Sequence, residues 1–146
     1  MRGFLIVLSL AMLAGLVHAA DEAAKKDQER MQGEWIMVSG ESQGQPFPDR
    51  FVKSAKRVVE GDTYTVTAET EDGPYSVKAR FKLDPTHKPG HIDATTSADG
   101  GESKLVGIYE FKGDELHICM ATAEAGRPKE FSSSQGTLVI WKKVKK

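Results

Sequence analysis

Cysteine is nearly missing from this chain of 146 residues. Cys119 stands alone, so no disulfide can close within the chain, and the fold must be held by its core. A bridge to a second chain would need an exposed thiol. An excess of either charge is also missing: 20 Lys and Arg stand against 21 Asp and Glu. That balance argues against nucleic acid or an anionic membrane surface as a partner. The one basic cluster, Lys142-Lys143-Val144-Lys145-Lys146, reads as a solvated strand end. No apolar run reaches the roughly 20 residues that a spanning helix needs, so no integral membrane segment is expected in the mature chain. No assembled catalytic motif is present either.

What is present begins with an export signal. Arg2 supplies a positive start, Phe4 to Val17 an apolar stretch and Val17-His18-Ala19 a small-residue cleavage site, the three parts of a secretory signal peptide. The expected organisation is a signal peptide over 1–19 and a single domain over 20–146, in the periplasm or outside the cell after cleavage near Ala19. No cysteine lies near the cleavage site, so the acceptor thiol of a bacterial lipoprotein is lacking. Removal of 19 of the 146 residues leaves 127, enough for one domain with one core.

Asp21 to Gln32 has helix-forming composition, with Asp21 placed as N-cap and Gly33 as stop. Beyond Gly33 the period changes. Trp35 to Val38 is strand-like, Gly40 to Pro48 is loop-like, and Pro48 to Ala55 has room for one helical turn. Arg57 to Glu60 and Thr63 to Ala68 flank Gly61-Asp62, a connection suited to a two-residue hairpin. Tyr75, Val77, Ala79, Phe81 and Leu83 alternate with polar residues, so one face is buried and the other wet. Ile92 to Thr95 forms a weaker strand before a polar turn over Ser97 to Ser103. Leu105 to Phe111 and Glu115 to Met120 make a hairpin around Gly113-Asp114, and Thr137 to Val144 closes the set. About eight antiparallel strands with short connections specify an all-β fold. The expected form is an eight-stranded up-and-down, lipocalin-like barrel with a short N-terminal helix, since closure removes exposed edges. A β-sandwich is the alternative.

Gln32-Gly33-Glu34-Trp35, between a helix and the first strand, is similar to the Gly-x-Trp motif of lipocalins, whose tryptophan plugs the closed end of the barrel. Further motifs accompany it: Gly44-x-Pro46, Gly61-Asp62-x-Tyr64-x-Val66, Leu83 to Asp93, Gly107 to Cys119 and Arg127-Pro128-x-x-Phe131. With them, from about Asp27 to Lys143, the chain resembles a lipocalin-like domain family of unknown function known chiefly from planctomycete bacteria. The resemblance implies a fold and no activity. One departure stands out: lipocalins usually stack an arginine of the last strand over that tryptophan, whereas here the last strand offers Lys142 and Lys143. A lysine lacks the planar guanidinium, though its methylene stem can cover the ring.

The residues with reactive potential read more simply as structure. His87-x-x-x-His91-x-Asp93 holds ligand-type side chains, but Pro89-Gly90 forbids a helical i, i+4 pair, and no metal or cofactor is expected. His117 and Cys119 share one strand face about 6 to 7 Å apart, long for a thiolate-imidazole bond, with no third residue to orient them. Asp84, before Pro85, serves a turn. Arg127 is placed to pair with a carboxylate such as Asp93.

The expected function is accordingly non-enzymatic: an exported barrel that holds a small, partly apolar ligand. The candidate lining is Trp35, Tyr64, Val66, Tyr75, Val77, Phe81, Tyr109, Ile118 and Met120. Buried tyrosines need hydrogen-bond partners, which suggests a partly polar cavity. The alternative is a structural or protein-interaction module of the cell envelope with a filled core; no protein partner is identified by the sequence.

Overall fold

Period-2 alternation of buried and exposed residues runs through the strands, most cleanly over Ala79 to Leu83 and Trp35 to Val38. The structure, a computed structural model, describes residues 7–98 and 101–145; within the first helix, side chains are described from Ala19 onward. The elements are α1 (Val7–Met31), β1 (Gly33–Ser42), β2 (Gln45–Pro46), α2 (Asp49–Ser54), β3 (Lys56–Glu60), β4 (Thr63–Thr70) and β5 (Gly73–Asp84). They continue with β6 (Gly90–Ala98), β7 (Gly101–Lys112), β8 (Glu115–Thr122) and β9 (Thr137–Lys143).

Eight strands pair in the order β1-β3-β4-β5-β6-β7-β8-β9, each antiparallel to the next, and β9 pairs back onto β1. The fold is therefore a closed all-β barrel. The two-residue β2 folds back on β1 through Gln43-Gly44, both at positive φ (52° and 75°), as a tight hairpin of primed type demands. Gly61 and Gly113 take positive φ in the hairpins that join β3 to β4 and β7 to β8. The polar turn after Ile92 is shorter than the sequence implies, because β6 and β7 stay paired as far as Ala98 and Gly101; residues 99–100 lie outside the described residues.

The N-terminal helix departs from its expected limits. Asp21 lies inside α1 and does not cap it, since Val7–Met31 contains no proline and continues in good helix formers. Met1 to Ile6, at the start of the expected export signal, lie outside the described residues, as do the side chains up to His18. No helix among the described residues is long and apolar enough to cross a membrane.

The last turn of α1 plugs one end of the barrel. Met31 is fully buried there. Gln32 donates to the Gly61 carbonyl (2.8 Å) and accepts from the Gly61 amide (2.7 Å), and Arg30 donates to the Gly113 carbonyl (3.2 Å). The helix end is thus tied to both tight hairpins. Trp35 sits beneath it, its Nε1 donating to the Met31 carbonyl at 2.9 Å. Lys143 completes the plug: its Nζ lies 4.7 Å from the centre of the Trp35 ring and donates to the carbonyls of Arg30 and Gln32. One lysine therefore covers the tryptophan and satisfies carbonyls that a helix end leaves without partners.

Candidate functional site: the barrel interior

Above the plug the interior is not filled. A cavity of about 370 Å³ is walled by Met37, Val66, Val77, Ile118, Met120 and Val139, with Arg57, Tyr64, Thr96, Leu105, Thr137 and Trp141 completing its circumference. That volume falls within the range of small-molecule sites, about 300 to 1,000 Å³. Phe47, before α2, Phe51 on α2 and Tyr75 on β5 form its mouth. Phe51 bridges the other two, with ring centroids 5.3 Å from Phe47 and 5.5 Å from Tyr75. Tyr75 is 42 % exposed, so the aromatic rim opens to solvent.

Six of the nine residues expected from sequence lie on this wall: Tyr64, Val66, Tyr75, Val77, Ile118 and Met120. Trp35, Phe81 and Tyr109 face inward too, but they belong to the packed layers nearer the plug. Trp35 packs on Phe111 (6.5 Å), Phe81 on Tyr64 (5.8 Å), and Tyr109 on Phe111 (5.9 Å). Alternation assigns a face of the sheet and not a height along the barrel. Tyr109 has its polar partner in α1, donating to Asp27 Oδ2 at 2.6 Å. Burial first, and then that hydrogen bond, push its phenol far above the usual range.

The residue that the sequence reading missed is Arg57. It is 4 % exposed, lines the cavity, and its guanidinium carbon stands 3.9 Å from the centre of the Tyr64 ring. Its Nε and Nη2 are buried without a hydrogen-bond partner. None of the ion pairs among the described residues involves it. Burial pulls the guanidinium down to about 10, against the opposing pull of Tyr64; burial likewise raises Tyr64, with the charge of Arg57 pulling back. A signal for Arg57 did exist. Across the Gly61-Asp62 turn, Val59 pairs with Tyr64 and Arg57 with Val66, so the inward faces of Tyr64 and Val66 oblige Arg57 to point inward as well.

The other reactive candidates do not line this cavity. The His87 and His91 rings stack in parallel, 3.7 Å apart and 3° from coplanar. Imidazole lone pairs lie in the ring plane, so in this arrangement the two nitrogens cannot meet on one ion. Among the described residues, no group of three or more His, Cys, Asp or Glu is placed to hold a metal. Asp84 accepts from the Thr86 amide and hydroxyl, which holds its carboxyl below the usual range. His117 shares a hydrogen bond with Glu115 at 3.2 Å and meets the Phe131 ring edge-on. Cys119 is fully buried and donates to the Ser132 carbonyl at 3.4 Å, and burial raises its thiol. The loop between β8 and β9 therefore covers the outer face of β8, and Cys119 is packed there as a small hydrophobe.

Arg127, on that loop, pairs with Asp93 at 2.6 Å and donates to the carbonyls of Ile92 (3.1 Å) and Gly107 (2.7 Å). Asp93 is mostly exposed, so the ion pair itself contributes little. The two carbonyl bonds, from a charged donor to neighbouring strands, contribute more. Arg127→Ala is expected to lower the unfolding free energy by about 2 kcal/mol, measured by urea denaturation. An unchanged midpoint would show the loop to be held by other contacts.

No family model, characterised protein or solved structure matches this chain.

Proposed function

We propose that the protein is an exported, non-enzymatic binding protein that holds one small, partly apolar molecule inside its barrel. The observation that carries this reading is the cavity of about 370 Å³ above the Trp35 plug, apolar along its wall and open at an aromatic rim. A barrel built only as a scaffold gains packing energy by filling such a space, because each unfilled methyl-sized void costs about 1 kcal/mol. The Met1 to Ala19 segment supports export, and the ordered motifs from Asp27 to Lys143 support membership of the lipocalin-like family that the sequence resembles.

The test uses a neutral environment-sensitive dye, N-phenyl-1-naphthylamine. Its fluorescence is expected to rise saturably at one dye per chain and to fall when a medium-chain alcohol displaces it. Val77→Trp, which projects an indole into the cavity, is expected to weaken dye binding at least tenfold while the chain still melts cooperatively. No saturable signal from this dye, together with no shift in melting temperature across a lipid and metabolite panel, would overturn the reading. A structural or protein-interaction module would then be the better description.

A further inference from the structure

We propose that Arg57 is the head-group site of this cavity, and that the ligand is a monocarboxylate with a medium-length apolar tail. This rests on the reading of the barrel as a binding protein and adds the chemical class of what it binds.

Burying a cation without a counter-charge is costly to the fold. The Tyr64 ring, 3.9 Å from the guanidinium carbon, offsets part of that cost. The imbalance is specific in its geometry. Nε and Nη2, the two nitrogens without partners, share one edge of the planar guanidinium. Their N–H bonds run parallel, and this fork matches the two oxygens of a carboxylate. Arg57 itself lines the cavity, so a ligand held there is within reach of this side chain once its torsions turn the fork toward it.

The rest of the wall describes the tail. Met37, Val66, Val77, Ile118, Met120 and Val139 offer no charge, so a second ionised group would be buried without a partner. The volume, about 370 Å³, lies at the small end of small-molecule sites and suits a medium-length chain. Decanoate has that size. Its carboxylate reaches Arg57, and its alkyl end lies toward Phe47, Phe51 and Tyr75 at the mouth.

The experiment compares decanoate with 1-decanol, which has the same chain without the charge, by displacement of the neutral dye from the full-length protein. Decanoate is expected to bind the native protein at least tenfold more tightly than decanol. Arg57→Met is expected to abolish that preference while still binding decanol, and Arg57→Lys to retain part of it. Equal affinity of the native protein for the two compounds would overturn the head-group assignment while leaving the binding-protein reading intact. So would a preference that survives in Arg57→Met. Binding of neither compound would overturn both.

Discussion

Replacing Trp35 by alanine is expected to lower the unfolding free energy by about 4 kcal/mol, the largest effect of any single substitution considered for this barrel. Trp35 is 2 % exposed, and three kinds of interaction meet on it. Its ring packs against Phe111 in the layer above the plug. Its Nε1 satisfies the carbonyl of Met31, and the Lys143 ammonium lies over its face. Truncation opens a void beneath α1 and leaves a helix-end carbonyl without its donor. Urea unfolding, followed by circular dichroism so that the lost fluorophore does not matter, measures the change. A loss below about 1 kcal/mol would show that the helix end, tied to Gly61 and Gly113 on its own, closes the barrel without the tryptophan.

Arg57→Met is expected to act in the opposite direction, raising the stability of the unliganded protein by about 2 kcal/mol. The methionine fills much of the arginine's volume, adapts to an irregular gap and removes two buried donors that have no acceptor. The sign follows from linkage. Burial lowers the folded-state value of Arg57 to about 10, below its ordinary value. The charged form is thus the one that folding disfavours, and the penalty is present at every pH below about 10, neutrality included. Stability would be recovered only as pH rises above about 10. A variant that is less stable than the native protein by 1 kcal/mol or more would mean that Arg57 is a structural residue. A more stable variant that has lost its preference for decanoate is what a binding residue held at a cost to the fold would show.

Much of the fold was legible because the strands alternate and their turns are short. Tyr75 to Leu83 could be read as one strand with a defined inner face, and Gly61-Asp62 and Gly113-Asp114 fixed two registers. The pairing of Arg127 with Asp93 was legible from the placement of an arginine on a returning loop. Three things were not. The depth of each inward residue depends on where the plug sits, and the plug is made by Met31 and Lys143, residues 112 positions apart that no periodicity connects. The cover over Cys119 is made by an irregular loop, which carries no repeating pattern. Arg57 was passed over because its charge argues for an outward position. The register across its own hairpin overrides that preference, and such a conflict between local preference and global pattern is expected at functional positions.

The interior as a binding site can be tested with a fluorophore the chain already carries. The sequence has two tryptophans; Trp141 lines the cavity and Trp35 does not. In a Trp35→Phe protein, all tryptophan emission comes from Trp141, and a titration with a brominated ten-carbon alcohol reports whether the tail reaches it. Saturable quenching at one molecule per chain, reversed by excess unbrominated alcohol, is the expected result. Quenching that rises linearly without saturation, or that unbrominated alcohol does not reverse, would contradict a ligand held inside the barrel.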